Sequence, residues 1–103
     1  MDFAKLQQAM QQASKMREEM ERKLAELIVE GSAGGGMVTV RMDGRKVVQS
    51  IHIEPTALAA TSLADIEMLQ DLVAAAFNDA GRKADEAAKG SMKGLLGGML
   101  PGI

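Results

Sequence analysis

The stretch VTVRMDGRKVVQSIHIEP, residues 38–55, predicts the centre of the fold. Apolar residues alternate with polar ones over residues 37–43, and this period of two is typical of a half-buried strand. Asp43 and Gly44 together form a two-residue hairpin signal. A second strand is expected over residues 46–54. Pro55 ends that strand, because proline has no N–H to donate to a ladder.

The alternation gives the two faces of this hairpin different chemistry. Val38 and Val40 share one face of the first strand. On the second strand, Ile51 and Ile53 share an apolar face, whereas Val48 falls on the opposite, more polar face. A sheet of this kind covers its apolar face with a helix or a second sheet.

A glycine-rich stretch, EGSAGGGMVTV, precedes the hairpin. Gly31 and Gly36 are five residues apart, the spacing of the two glycines in a phosphate-binding loop. Such a loop needs Lys and then Ser or Thr after the second glycine, and a helix after that. Here two apolar residues and a strand follow instead. We interpret residues 31–36 as a flexible turn that follows a short strand at residues 26–30.

Helices are expected on both sides of the three strands. Apolar residues recur every three or four positions over residues 3–24 and again over residues 63–89. Gly90 is expected to cap the C-terminus of the second helix. Residues 91–103, SMKGLLGGMLPGI, contain four glycines and are expected to form a flexible tail. The chain is thus predicted to be one α+β domain, residues 1–90, with an antiparallel three-stranded meander between two long helices.

The composition limits the class of protein. The chain has 103 residues, a net charge of −2, only 2% aromatic residues and no cysteine. An aromatic-poor core in a short chain is thin, and such chains often bury more surface by pairing with a second copy. The absence of cysteine excludes disulfides and thiolate metal sites, and is compatible with a reducing cytoplasm. No signal peptide and no membrane-spanning segment are expected.

The residues that could support catalysis are few. His52 is the only histidine and lies in a predicted strand. None of the serines stands in a G-x-S-x-G nucleophile elbow. The carboxylates are better interpreted as solubilising charges than as a metal site. We therefore predict no catalytic residue, no metal, no cofactor and no enzymatic activity.

Basic residues remain as candidates, with a solvated surface as the alternative interpretation. Affinity for DNA depends on the local density of cations rather than on net charge. Without aromatic platforms for unpaired bases and without a helix-turn-helix, contact with duplex backbone is the form of binding to expect. The basic residues lie on the second half of the first helix (Lys15, Arg17, Arg22, Lys23) and on the later part of the second helix and the tail (Arg82, Lys83, Lys89, Lys93).

Two segments resemble the YbaB/EbfC family of bacterial nucleoid-associated proteins. They are the hairpin at residues 38–55 and the sequence MLQDLVAAAFNDAGRKADE at residues 68–86. Residues 71–80 match the family pattern DLV-AA-NDA closely. The glycine-rich turn at residues 31–36 and the order helix, meander, helix also match, so the resemblance covers essentially the whole chain.

The resemblance implies an intertwined, tweezer-like homodimer with the paired sheets at its base and the long helices as arms. It implies binding of double-stranded DNA, changes in DNA conformation, and roles in organising the nucleoid and regulating genes in the bacterial cytoplasm. It also implies no enzymatic activity. The family's DNA contacts lie on the projecting helices, which here points to Lys15, Arg17, Arg22, Lys23, Arg82, Lys83 and Lys89.

The same resemblance places the glycines at a turn near the base of the dimer. Val38, Val40, Ile51 and Ile53 then pack against the helices or against the second subunit, and the sequence leaves open which face does which. An alternative function also remains open. The Met-rich first helix or residues 91–103 could dock on a protein partner, since methionine suits adaptable interfaces.

Overall fold

The structure is a computed structural model that describes residues 2–59 and 62–99. It confirms the predicted α+β architecture: a long N-terminal helix, an antiparallel sheet in the order β1-β2-β3, and a long C-terminal helix. The elements are α1 (Phe3–Glu26), β1 (Ile28–Ala33), β2 (Val38–Asp43), β3 (Val48–Ile53), a 3₁₀ turn (Pro55–Ala59) and α2 (Leu63–Met99).

Helix α2 covers β1 and β2 with small side chains. Ala76, Ala80 and Ala84 recur every fourth residue, so they line one face of the helix, and all three are inaccessible to solvent. Alanine lets the helix axis lie close to the sheet. The helix face packs against a row of β2 side chains that are also inaccessible: Val38, Val40 and Met42.

Gly31 lies inside β1 and not in a turn. A Cβ at this position would stand 2.6 Å from Ala80 Cα and closer still to Ala80 N and Ala76 O, so only glycine lets β1 and α2 meet. The prediction that all of residues 31–36 form a turn is therefore wrong. The turn begins at Gly34, and three successive glycines have positive φ angles of 65°, 67° and 92°, a conformation that glycine adopts without steric cost.

The β2–β3 hairpin has a longer turn than predicted. Lys46 N–H donates to Asp43 O, and Asp43 N–H donates to Val47 O, each at 3.0 Å. Lys46 has a φ of 67°. This is a three-residue loop, in which a tight turn is followed by one residue in the left-handed region. The predicted two-residue turn is therefore wrong.

A bulge further along β3 changes the face on which Val48 lies. Arg41 pairs with Ser50, but Met42 pairs with Val48, so Gln49 is an extra residue in β3. A bulge of this kind interrupts the alternation of side chains. Val48 thus lies opposite Met42, on the same face as Ile51. The prediction that Val48 belongs to the other face is wrong.

Helix α2 continues beyond its predicted end. Gly90 was expected to cap it, but the helix runs to Met99. Each glycine costs a helix about 1 kcal/mol, yet extending an existing helix avoids the cost of nucleation. The predicted cap at Gly90 is therefore wrong. Residues 100–103 of the predicted tail lie outside the described residues, and the flexibility of residues 91–103 stays a prediction.

Helix α1 is held at one end only. None of its 24 residues is buried. Its C-terminal end rests on the hairpin, where Gly44 N–H donates to Leu24 O at 2.8 Å. The helix is about 36 Å long at 1.5 Å per residue, whereas a six-residue strand spans about 20 Å. The chain measures 69 × 30 × 17 Å, so α1 projects from the sheet as expected.

Candidate nucleic-acid interface

The four predicted cations of α1 divide between two sides of the helix. Side chains advance by about 100° per residue, so Lys15 and Arg22, seven residues apart, share a face, and Lys23 borders it. Arg17 lies on the opposite side, on the apolar stripe that includes Met10. All four cations are exposed. The structure therefore forms one basic face from Lys15, Arg22 and Lys23, and separates Arg17 from it.

This basic face of α1 also carries two carboxylates. Glu18 and Glu19 lie between Lys15 and Arg22 in a shallow depression. The ion pairs of the described residues nevertheless involve only cations elsewhere in the chain. The three basic side chains are therefore not committed to ion pairs within the described chain.

Lys23 and Lys89 are brought together, although they come from different helices. Both line a groove of about 250 Å³ between the C-terminal end of α1 and α2. The floor of the groove is largely apolar and includes Met20, Leu24 and Met92. The α1 cations lie in the C-terminal half of the helix. This is the half nearest the sheet, and its end borders α2 across the groove.

Arg82 and Lys83 differ from the other predicted contacts because both are engaged with Asp79. Arg82 Nη2 lies 3.4 Å from Asp79 Oδ1, and Lys83 Nζ lies 3.2 Å from Asp79 Oδ2. Lys83 Nζ also donates to the Glu30 carbonyl oxygen at 3.0 Å. A phosphate would compete with these contacts for both side chains.

Asp79 was interpreted from the sequence as a solubilising charge, but it joins α2 to β1. Its Oδ2 accepts a hydrogen bond from Ser32 N–H at 3.0 Å. That bond and the Lys83 ammonium hold the pKa of Asp79 below its usual value of 3.8. The four-residue spacing of Asp79 and Lys83 on a helix is a signal that could have predicted their pairing, but it could not show that they reach the sheet.

Asp43 is a second carboxylate with a structural role. Its side chain is inaccessible to solvent and accepts hydrogen bonds from Arg45 Nη2 at 2.8 Å, from Arg45 N–H at 2.8 Å and from Val47 N–H at 3.1 Å. Burial raises the pKa of Asp43, but the Arg45 side chain and the two backbone donors outweigh burial and hold the pKa below 3.8. Asp43 therefore fixes the hairpin turn as an anion.

The four residues predicted to pack in the core or in a dimer differ in how far they are buried. Val38 and Val40 are inaccessible beneath α2, and Ile53 is partly buried against the same core. Ile51 lies opposite Val40 on the same face of the sheet, yet it is 50% exposed, because α2 does not extend over β3. Phe77, which follows the buried Ala76 on α2, is 43% exposed.

The described residues contain little that could support chemistry. His52 Nε2 lies 3.2 Å from Glu54 Oε1 on an exposed face. Within residues 2–59 and 62–99, no group of three or more metal-ligating side chains converges. In the same ranges, no helix is both long enough and apolar enough to cross a bilayer.

The chain is similar to proteins of one family along most of its length. The sequence profile of the YbaB/EbfC DNA-binding family matches residues 2–99. A nucleoid-associated protein from Acidobacterium capsulatum is 50% identical over 97 residues, which cover 92% of this chain and 90% of that protein. A nucleoid-associated protein from Koribacter versatilis is 44% identical over 99 residues, which cover 95% of each.

A solved structure has the same fold. The crystal structure of an uncharacterised protein from Helicobacter pylori superimposes with a TM-score of 0.73 at 28% identity, and covers 94% of this chain and 99% of that one. The family match, the relatives and the architecture agree with the resemblance of residues 38–55 and 68–86. The chain belongs to the YbaB/EbfC DNA-binding family.

Proposed function

We propose that this protein binds double-stranded DNA as a homodimer, mainly through the phosphate backbone, and so alters DNA conformation. In the cell it would act in the cytoplasm at the bacterial nucleoid, contributing to nucleoid organisation and gene regulation. Membership of a DNA-binding family supports this function, as do the names of the relatives. The observation that carries it is the exposed basic face of α1, formed by Lys15, Arg22 and Lys23.

Backbone contact is the mode of binding that suits this face. Lys and Arg neutralise phosphates without reading bases, and the chain has neither a Trp nor a Tyr on which an unpaired base could stack. Glu18 and Glu19 lie within the same face and limit the affinity of one helix. Two copies of the face in a dimer would multiply the number of phosphate contacts, which favours binding by a dimer.

Two uncovered apolar surfaces support the homodimer. One is the part of the sheet around Ile51 that α2 leaves open, where Ile51 is 50% exposed. The other is the apolar stripe of α1, where Phe3 is 73% exposed and Met10 is 65% exposed. Removing such apolar area from water stabilises the complex that buries it. We propose that the second copy covers the β3 surface, so that Ile51 packs between subunits while Val38 and Val40 pack within one.

The test uses two arginines of the same helix. Arg22→Gln removes a cation from the basic face, and Arg17→Gln removes the same charge from the opposite side. Each lost phosphate contact reduces the magnitude of the slope of log K against log salt by about 1. In a dimer of Arg22→Gln, which loses two contacts, the magnitude of the slope should fall by about 2. We expect Arg17→Gln to bind duplex DNA like the wild type. Equal losses in the two variants, or none in Arg22→Gln, would contradict the proposed face.

A docking function for a protein partner is the second candidate. The exposed methionines of α1 and the groove lined by Met20 and Met92 favour it. Docking of a protein partner would depend on residues 91–103, whereas binding of DNA by the α1 face would not. Deletion of this segment should leave the duplex DNA titration unchanged if the α1 face binds DNA. Loss of DNA binding on deletion would instead assign the interface to the end of α2.

A further inference from the structure

The two outer edges of the sheet differ in what covers them. In an antiparallel ladder, alternate residues of an edge strand direct both N–H and C=O away from the neighbouring strand. For β1 these include Glu30 and Ser32, which flank Gly31. Unpaired edge groups of this kind are a template for a strand of another chain. Glu30 O and Ser32 N–H are two of the groups that an added strand would need.

Side chains of α2 form hydrogen bonds with both of these backbone groups. Asp79 Oδ2 accepts from Ser32 N–H at 3.0 Å, and Lys83 Nζ donates to Glu30 O at 3.0 Å. The two side chains also pair with each other at 3.2 Å. An acceptor thus meets the outward N–H and a donor meets the outward C=O, which reproduces the hydrogen bonds that a strand would make.

Gly31 explains how helix side chains reach the edge of a sheet. Its lack of a Cβ brings the α2 backbone at Ala80 directly against β1. Asp79 precedes Ala80, and Lys83 follows one turn later, so both side chains reach past the face of the sheet to its rim. Two sets of residues therefore work together at the β1 edge. Close approach comes from the small residues at positions 31, 76 and 80, and the edge is then reached by the charged residues at positions 79 and 83.

We propose that Asp79 and Lys83 close the β1 edge to strand addition, and that Lys83 serves this purpose instead of binding DNA. The β3 edge has no such cover in the described residues, and it remains open to a second chain. Protection of the β1 edge does not depend on whether the protein binds DNA, whereas the contrast between the two lysines rests on the proposed function. The inference assigns different roles to two lysines of α2: Lys83 protects the sheet, whereas Lys89 remains available to phosphate.

The experiment compares Lys83→Met with Lys89→Met in the full chain, because both remove one ammonium group from an exposed position of the same helix. Hydrogen exchange of the Ser32 amide is measured by NMR without DNA. Mass is measured by light scattering over a range of protein concentrations. Duplex DNA is then titrated with each variant. Asp79→Ala serves as a second variant, because it removes the acceptor of the Ser32 N–H directly.

We expect Asp79→Ala to speed exchange at Ser32 by about tenfold or more, since local protection there comes from one bond. Lys83→Met should form species larger than the wild type as concentration rises, with unchanged affinity for DNA. Lys89→Met should keep the wild-type mass and lose affinity. The inference is overturned if Lys83→Met keeps the wild-type mass at all concentrations, or if it weakens DNA binding as much as Lys89→Met does.

Discussion

Helices α1 and α2 are both long and amphipathic, yet they relate to the sheet in opposite ways. Helix α2 lies on β1 and β2 through inaccessible alanines, with Gly31 as the point of closest approach. Helix α1 has no buried residue and touches the hairpin at its end through Leu24. One helix completes the core of a single chain, and the other carries its apolar stripe into solvent.

This difference shows that an apolar pattern predicts burial but not the partner. The large residues of α1 are more hydrophobic than the alanines of α2, but the alanines are the ones buried within the chain. Close approach to a sheet requires small residues on the helix and a glycine on the strand. The larger residues of α1, and Ile51 on β3, are therefore the surfaces that a second copy is expected to cover.

The largest effect is expected where α2 meets β1. Gly31→Ala would place a Cβ against the backbone of Ala80, and backbone cannot move aside as a side chain can. We expect a loss of about 3 kcal/mol or more in the free energy of unfolding. Thermal unfolding followed by circular dichroism would measure it.

Gly81→Ala is the matched control for that change. Gly81 lies on α2 beside Ala80, and outside its chain neighbours and the adjacent helix backbone no atom stands within 4 Å of the added Cβ. Alanine is a better helix former, so this variant should gain about 1 kcal/mol. If Gly31→Ala were as stable as the wild type, the close contact between α2 and β1 would be wrong.

The proposed homodimer makes Ile51 a contact between chains, whereas Val38 and Val40 pack within one chain. If the second copy covers Ile51, Ile51→Glu should weaken association by about a hundredfold, because a charge would be buried at the interface. The fold of each chain should persist, since the side chain is already half exposed. Sedimentation or light scattering would report the mass.

Ser50→Glu introduces the same charge one residue earlier on the opposite face, across from Arg41. It should leave the dimer intact. Dissociation by Ser50→Glu and not by Ile51→Glu would move the interface to the other face of the sheet.

The stability of the hairpin beneath α1 should depend on the charge of Asp43. Asp43→Asn loses the charge-assisted bonds from Arg45, and we expect a cost of roughly 2 kcal/mol at neutral pH. Because the pKa of Asp43 is lower in the folded chain, its contribution is present above pH 3.8 and is lost as pH falls through the folded pKa.

Urea unfolding of the wild type and Asp43→Asn at several pH values would test this dependence. The difference between the two proteins should be constant near neutrality and shrink in acid. A difference that does not change with pH would show that the anion is not what stabilises the turn.

The smallest effects are expected at the helix caps, and they should differ between the helices. Ser62 Oγ accepts from Asp65 N–H at 3.1 Å at the start of α2, and Asp2 caps α1 through Ala4 N–H. Ser62→Ala should lower global stability by about 1 kcal/mol. Asp2→Ala should only fray the first turn of α1, visible as faster amide exchange there. A shift in global unfolding by Asp2→Ala would mean that the far end of α1 is part of the core.

The sequence predicted the elements of this fold better than their contacts. Alternation over residues 37–43 and three- or four-residue spacing in the helices depend on local chemistry, and both were confirmed. The bulge at Gln49 was not predictable, because one extra residue reverses the face of Val48 without altering composition. Gly31 looked like a turn residue because the need for a missing Cβ arises from Ala80, which lies 49 positions away along the chain.

The DNA-binding residues stay a prediction, and the sequence limits their arrangement for a similar reason. The four cations of α1 were predicted as one group, although the seven-residue spacing of Lys15 and Arg22 could have separated Arg17 from them. Spacing could not show that Lys23 meets Lys89 across a groove, or that Arg82 and Lys83 are held by Asp79. These contacts depend on the path of the chain between the two helices.

The account rests most directly on electrostatic binding of duplex DNA by a dimer. If Lys15, Arg22, Lys23 and Lys89 all contact phosphates, two chains supply eight cations, and affinity should fall about 10³- to 10⁵-fold between roughly 50 and 200 mM salt. A mobility-shift titration at the two salt concentrations, with the mass of the same sample measured by light scattering, tests this. The account predicts a dimer with that steep loss. A dimer that leaves duplex DNA unshifted at low salt, or binds it equally at both concentrations, would contradict it.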